Sequence, residues 1–232
     1  MNLEMFVFRH GVSWGNIGDE RGKIHQGQCP SDPGLAPHGL LQAKCMAHFL
    51  RKHPISGIFA SPLPRALQCA YMIQSYQSLL VPIYIDLDIM EVTNGAIDGM
   101  PFREIAERYP EVFVRWKKKE MNIPLSPGGE SQRSVSERVA NALTRAAIIS
   151  ARSKLYPHYG GNPVVVSHGG ALGLGFARLA NIPLERFHEV FPLENASLSI
   201  LHWDDAREHL SVKKWNITSY LGKLKYSPKV EL

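Results

Sequence analysis

An apolar run, Met5 to Phe8, stops abruptly at Arg9-His10-Gly11. A short continuous apolar run with such a break predicts a buried strand. Gly11 has no Cβ, so the chain can turn sharply there and approach a ligand closely. Arg9 and His10 at the end of a buried strand repel each other and lose hydration unless something negative lies beside them. Two unit charges about 4 Å apart interact by roughly 4 kcal/mol at an effective dielectric near 20. A bound phosphate turns that penalty into attraction. For the tripeptide alone, a strand that ends in two solvated polar residues is the simpler account.

Three other stretches repeat the theme. Pro163-Val164-Val165-Val166 is β-branched and ends in Ser167-His168-Gly169-Gly170. This reads as a buried parallel strand with His168 at its carboxyl end, where open α/β sheets bind ligands. In Ser61-Pro62-Leu63-Pro64-Arg65, Ser61 is the expected N-cap and proline suits a first helical turn. Arg65 then sits near a helix N-terminus, which favours anions and disfavours a cation, so its placement needs an anionic partner. Glu91 follows an expected strand, Val81 to Leu87, and precedes the turn Asn94-Gly95, a common place for a functional carboxylate.

Together these stretches resemble the histidine phosphatase superfamily, the phosphoglycerate mutase-like enzymes. The resemblance is carried by Arg9-His10-Gly11 with Asn16 five residues after Gly11, by Ser-Pro-Leu-x-Arg-Ala-x-Gln over 61–68, and by Glu91 with Gly95 and Gly99. Pro127-Gly128-Gly129-Glu130-Ser131 with Arg138, and Ser167-His168-Gly169, complete it. Val12 stands where the family usually has Glu, Cys69 where it has Thr, and Asp98 where it has a second Glu; Ser13 keeps the usual hydroxyl.

The resemblance implies a three-layer α/β/α sandwich with a mostly parallel central sheet, formed by one domain over 1–232. It also implies a metal-independent phosphatase, without cofactors, acting on a small phosphorylated substrate. In that reading His10 attacks phosphorus and becomes phosphohistidine. Arg9, Arg65 and His168 hold the phosphoryl oxygens, and Glu91 gives a proton to the leaving group and takes one from water. Ser13, Asn16 and Gly169 contribute to the phosphate site. His25-Gln26-Gly27-Gln28 looks like the family's Gln-Gly element, which places the backbone of Gln26 and Gly27 against the phosphate. Glu130 and Ser131 are expected to be structural, with Ser131 capping a long helix that runs to about Ala151, and Arg138 is expected behind the site or on the surface. A mutase-type phosphoryl transfer is the runner-up, and a non-catalytic regulatory member of the fold is third. The 123–131 loop looks more like the phosphatase branch.

The remaining sequence sets bounds. A chain of 232 residues, 44% hydrophobic and 20% charged, can bury a full α/β core. The formal charge of +5 is dispersed, and its one dense run, Lys117-Lys118-Lys119, is closed by Glu120, so a nucleic-acid partner is not expected. Cys29, Cys45 and Cys69 lack a Cys-x-x-Cys pairing and are not read as a disulfide or zinc framework; the two in helical patterns are read as packing residues. No apolar run approaches the length of a membrane span, and MNLEMFVF lacks a signal peptide's basic region, so a cytosolic location is expected. Helices are expected over 39–53 and over 102–121 with a break at Pro110. A hairpin is expected from 197–201 and 210–215. The segment 17–38 reads as a loop insertion, and the tail after about 220 as loosely ordered.

Overall fold

The structure is a computed structural model that describes residues 2–18, 27–28, 34–152 and 161–225. In chain order the elements are β1 (Asn2–Arg9), α1 (Trp14–Ile17), α2 (Pro37–Leu50), β2 (Ile55–Ala60), α3 (Pro64–Ser75), β3 (Ile83–Ile85), α4 (Phe102–Arg108) and α5 (Pro110–Lys118). Then follow α6 (Gln132–Arg152), β4 (Asn162–Ser167), α7 (Gly169–Leu179), α8 (Phe187–Val190), β5 (Leu198–Asp204) and β6 (His209–Ile217). Cys29 and His25-Gln26 lie outside the described residues.

The sheet runs β3-β2-β4-β1-β5-β6. β1, β2, β3 and β4 are mutually parallel where they pair; β5 and β6 are antiparallel and form the expected hairpin. β1 lies in the middle with Arg9 opposite Ser167 of β4. Its side chains alternate between two cores: Met5 and Val7 join α6 and α7 on one face, while Phe6 and Phe8 join α2 and α3 on the other. Burial on both faces explains why β1 and β4 read as continuous apolar runs rather than alternating ones. The result is the expected three-layer sandwich. A separate small cluster of Ile97, Ile105, Val112 and Leu125 packs beneath α4 and α5.

Several boundaries differ from expectation, each for a local reason. β3 stops at Ile85 because the Asp86 carboxylate accepts from Asp88 N–H at 2.9 Å and starts a 3₁₀ turn, Leu87–Ile89. α2 begins two residues early, with Pro37 at its first position, and ends at Leu50, ahead of Pro54. Pro110 does divide the 102–121 region, as the first residue of α5. Ser131 caps α6, accepting from Ser134 N–H at 3.1 Å. Cys69 packs in α3, where burial pushes its thiol up to about 12. Past Tyr220, where a loose tail was expected, Ser219–Leu224 forms a 3₁₀ segment, buries Leu221, and offers Leu224 O to Gln42 at 3.1 Å. Among the described residues, no helix is long and apolar enough to cross a membrane.

Candidate active site

The parallel pairing of β1, β2 and β4 brings their carboxyl ends to one edge of the sheet. His10, Ser61 and His168 each follow one of these strands directly. The turn after His10 is pressed against α2: a Cβ on Gly11 would lie 2.6 Å from Gly39 O, and Val12 N–H donates to Gln42 Oε1 at 2.8 Å. Glycine at 11 and 39 lets two backbones touch, so the imidazole is fixed from behind. Ala196, in the left-handed region at φ 59°, supports the same turn by donating its N–H to His10 O at 3.0 Å.

His10, Arg65 and His168 are brought together with almost no exposure. The imidazole centroids lie 5.2 Å apart. Arg65, the second residue of α3, lies between them: its Nε is 3.3 Å from His10 Nε2 and 3.2 Å from His168 Nδ1, and its Nη2 donates to Gly27 O at 2.9 Å. A guanidinium only donates, so both facing ring nitrogens are acceptors. His10 Nδ1–H then donates to Gly11 O at 2.7 Å, which leaves a lone pair on Nε2. His168 Nε2–H correspondingly faces Ser61 Oγ at 2.7 Å. Ser61 is therefore not the N-cap of α3, a position held by Leu63; its hydroxyl orients His168 instead.

Burial, reinforced by the neighbouring guanidiniums, holds both histidines well below the usual imidazole range. Arg9 lies against the start of α7, where a Cβ on Gly169 would come within 3.1 Å of its Nε. Its Nη1 donates to Leu193 O at 2.5 Å, while the buried Nε has no hydrogen-bond partner among the described residues. Desolvation pushes the Arg9 guanidinium down to about 10, against the pull of Glu91. Two guanidiniums and two imidazoles thus crowd one pocket with Glu91 at its rim.

Glu91 is held by backbone. Its carboxylate accepts from Val92 N–H at 3.0 Å, Ala171 N–H at 2.8 Å and Gly170 N–H at 3.2 Å, the last two from the first turn of α7. A carboxylate suits that helix end. Gly170 leaves room for it, since a Cβ there would sit 2.8 Å from Glu91 Oε1 and push the carboxylate aside.

Ser13 and Asn16 form the turn next to His10. Asn16 Oδ1 accepts from Ser13 N–H at 3.0 Å and from Asn195 Nδ2 at 3.0 Å. Gly27 meets the site through its carbonyl on Arg65, and it packs so tightly on Asp98 that a Cβ would collide with the carboxylate. Asp98 in turn accepts from Thr93 Oγ1 at 2.7 Å and so braces the loop after Glu91.

Sequence reasoning missed several partners. Gln28 Nε2 donates to Glu91 O at 2.7 Å. Arg138, expected behind the site or on the surface, lies behind it: it donates to Asp88 O, Met90 O and Glu91 O, and grips Glu130 through Nε and Nη2, both at 2.8 Å. The only signal for it was its place downstream of Pro-Gly-Gly-Glu-Ser. Ser61 carried a signal only as the expected helix cap, and Asn195 carried none for its contact with Asn16. Among the described residues, no group of three or more His, Cys, Asp or Glu is arranged to hold a metal ion.

The sequence profile of the histidine phosphatase superfamily (branch 1) matches residues 5–218. The chain belongs to that family. It is 32% identical over 223 residues to phosphoserine phosphatase 1 of Hydrogenobacter thermophilus, covering 95% of each protein. It is 29% identical to the metal-independent phosphoserine phosphatase of Arabidopsis thaliana, covering 95% of this chain and 84% of that one. Among solved structures, Bacillus stearothermophilus YhfR superposes with a TM-score of 0.78 at 24% identity, over 94% of this chain and 98% of that one.

Proposed function

We propose that this chain is a metal-independent phosphatase that hydrolyses small phosphate monoesters through a phosphohistidine on His10. The observation that carries the reading is the Nε2 lone pair of a buried, neutral His10 facing a guanidinium and a second imidazole.

In the first step, His10 Nε2 would attack phosphorus in line as the ester P–O bond breaks. Arg65 and His168, with Arg9, would bind the phosphoryl oxygens where negative charge gathers. Arg65 would exchange its contacts with the imidazoles for contacts with oxygen. The buried Arg9 Nε–H offers one more donor on that side. Glu91 would protonate the departing alkoxide. In the second step it would take a proton from a water that attacks phosphorus, breaking the P–N bond and releasing phosphate and free His10. Asn16, Ser13 and Gly169 would shape the rim of the phosphate site. Gln26, the remaining expected contact, lies outside the described residues.

Phosphoserine is the first substrate to test, because two relatives carry it in their names. Phosphoserine, 3-phosphoglycerate and p-nitrophenyl phosphate should be offered separately in the presence of EDTA. Free phosphate from at least one of them is the expected result. Abolition by EDTA, or isomerisation of 3-phosphoglycerate without phosphate release, would contradict the reading.

A further inference from the structure

On the α2 face, away from His10, lies an open cavity of about 540 Å³. Its size falls within the range of small-molecule sites, about 300–1,000 Å³. Lys44, His48 and Lys52 line one side, spaced by four residues along α2 and the turn that follows it. Such spacing puts Lys44 and His48 in one stripe of α2, and Lys52 follows in the turn just past its end. All three are exposed, and among the described residues no carboxylate lines the cavity or pairs with either lysine. Tyr76 and Tyr220 line it from other segments, and Phe49, beside His48 on α2, lies with its ring centroid 5.4 Å from that of Tyr220.

Unpaired cations call for an anion of extended charge, and the aromatic faces beside them call for a flat ring. The phosphatase reading uses neither. We infer that this cavity binds a nucleoside diphosphate, with its phosphates along Lys44, His48 and Lys52 and its base against the aromatic rings. The site is also wired to the catalytic turn. The Tyr220 hydroxyl donates to Ala196 O, and Ala196 N–H donates to His10 O at 3.0 Å. A ligand that shifts the Tyr220 ring therefore changes the seating of His10.

Isothermal titration of the intact chain with adenosine diphosphate tests the site without relying on phosphatase activity. The expected result is binding that weakens at least tenfold in Lys44→Glu/Lys52→Glu, persists in Arg65→Ala, and exceeds pyrophosphate binding at least tenfold. No binding at millimolar ligand overturns the inference, as does equal affinity in the double lysine variant. Loss in Arg65→Ala would place the nucleotide in the phosphatase pocket, and equal affinity for pyrophosphate would remove the base from recognition; either result overturns it. A thermal melt checks that both variants fold. At saturating substrate, the diphosphate should change kcat in the wild type and not in Tyr220→Phe, and an unchanged wild-type kcat overturns the coupling.

Discussion

His10 and His168 each stand one residue past a sheet strand, and Arg65 is the second residue of α3, whereas Glu91 hangs on a loop gripped from several directions. The proposed phosphate side of the pocket is thus fixed by the sheet itself, and its donors are buried and tightly spaced. The proposed proton-transfer side is assembled from three distant segments: Gln28, the Glu130–Arg138 pair and the first turn of α7. One side inherits its precision from the fold, and the other borrows it from a hydrogen-bond network. Damage to the first should stop all chemistry, and damage to the second should depend on how much proton help the leaving group needs.

The effect that spares no substrate is expected at the phosphate side. Arg65→Ala should lower kcat/KM by about 10²–10³, equally for alkyl phosphates and p-nitrophenyl phosphate, since both need the same oxygens held. Steady-state kinetics on the two substrate classes measure this. A loss confined to alkyl phosphates would break the division.

Glu91→Gln should cost about 10²–10⁴ on an alkyl phosphate. On p-nitrophenyl phosphate, whose leaving group needs no proton, formation of the phosphoenzyme should be nearly unchanged. Stopped-flow detection of the p-nitrophenol burst separates that step from water attack. An equal loss of the burst would remove Glu91 from leaving-group protonation.

Arg138→Met should follow the pattern of Glu91→Gln at reduced size. Arg138 holds the Glu91 carbonyl rather than its carboxylate, and small misplacements of a catalytic group can cost up to about 10²-fold. A loss of roughly tenfold on alkyl phosphates, with a smaller one on p-nitrophenyl phosphate, is expected. A uniform loss on both would assign Arg138 to general stability instead.

A last effect is on stability rather than on turnover. Folded His10 and His168 are held well below the ordinary imidazole value, while unfolded they titrate near pH 6.5. Between the two values the unfolded chain binds more protons. Stability is therefore full above about pH 6.5 and falls as pH drops, by up to about 1.4 kcal/mol per pH unit for each imidazole. Urea unfolding midpoints from pH 7.5 to 5 should show the decline. Replacing His168 with Gln should flatten it, and an unaltered slope in that variant would contradict the burial argument.

The same contrast governs what the sequence made legible. β1 and β4 announced themselves because burial on both faces demands unbroken apolar runs, and each ended in a His-Gly pair that marks the carboxyl edge of the sheet. Arg65 was legible because a cation at a helix start is electrostatically out of place without an anion. The clamp on Glu91 was less legible, because Gln28 and Arg138 act on main-chain carbonyls and Glu130 accepts from Thr93 N–H and from Arg138, contacts between distant segments that no periodicity records. Ser61 misled for a related reason: a serine before a helix has a standard use, and only the placement of His168 across the sheet diverts its hydroxyl. The early end of β3 and the packed Ser219–Leu224 segment depend on a single capping carboxylate and on α2, neither of which periodicity records.

The central claim is a covalent bond between phosphorus and His10 Nε2. Rapid acid-free quenching during turnover of labelled phosphoserine or p-nitrophenyl phosphate, followed by peptide mapping, tests it most directly. The account predicts acid-labile label on the peptide carrying His10, absent in His10→Ala. Full turnover with no trapped label in the wild type, or label that persists in His10→Ala, would contradict it.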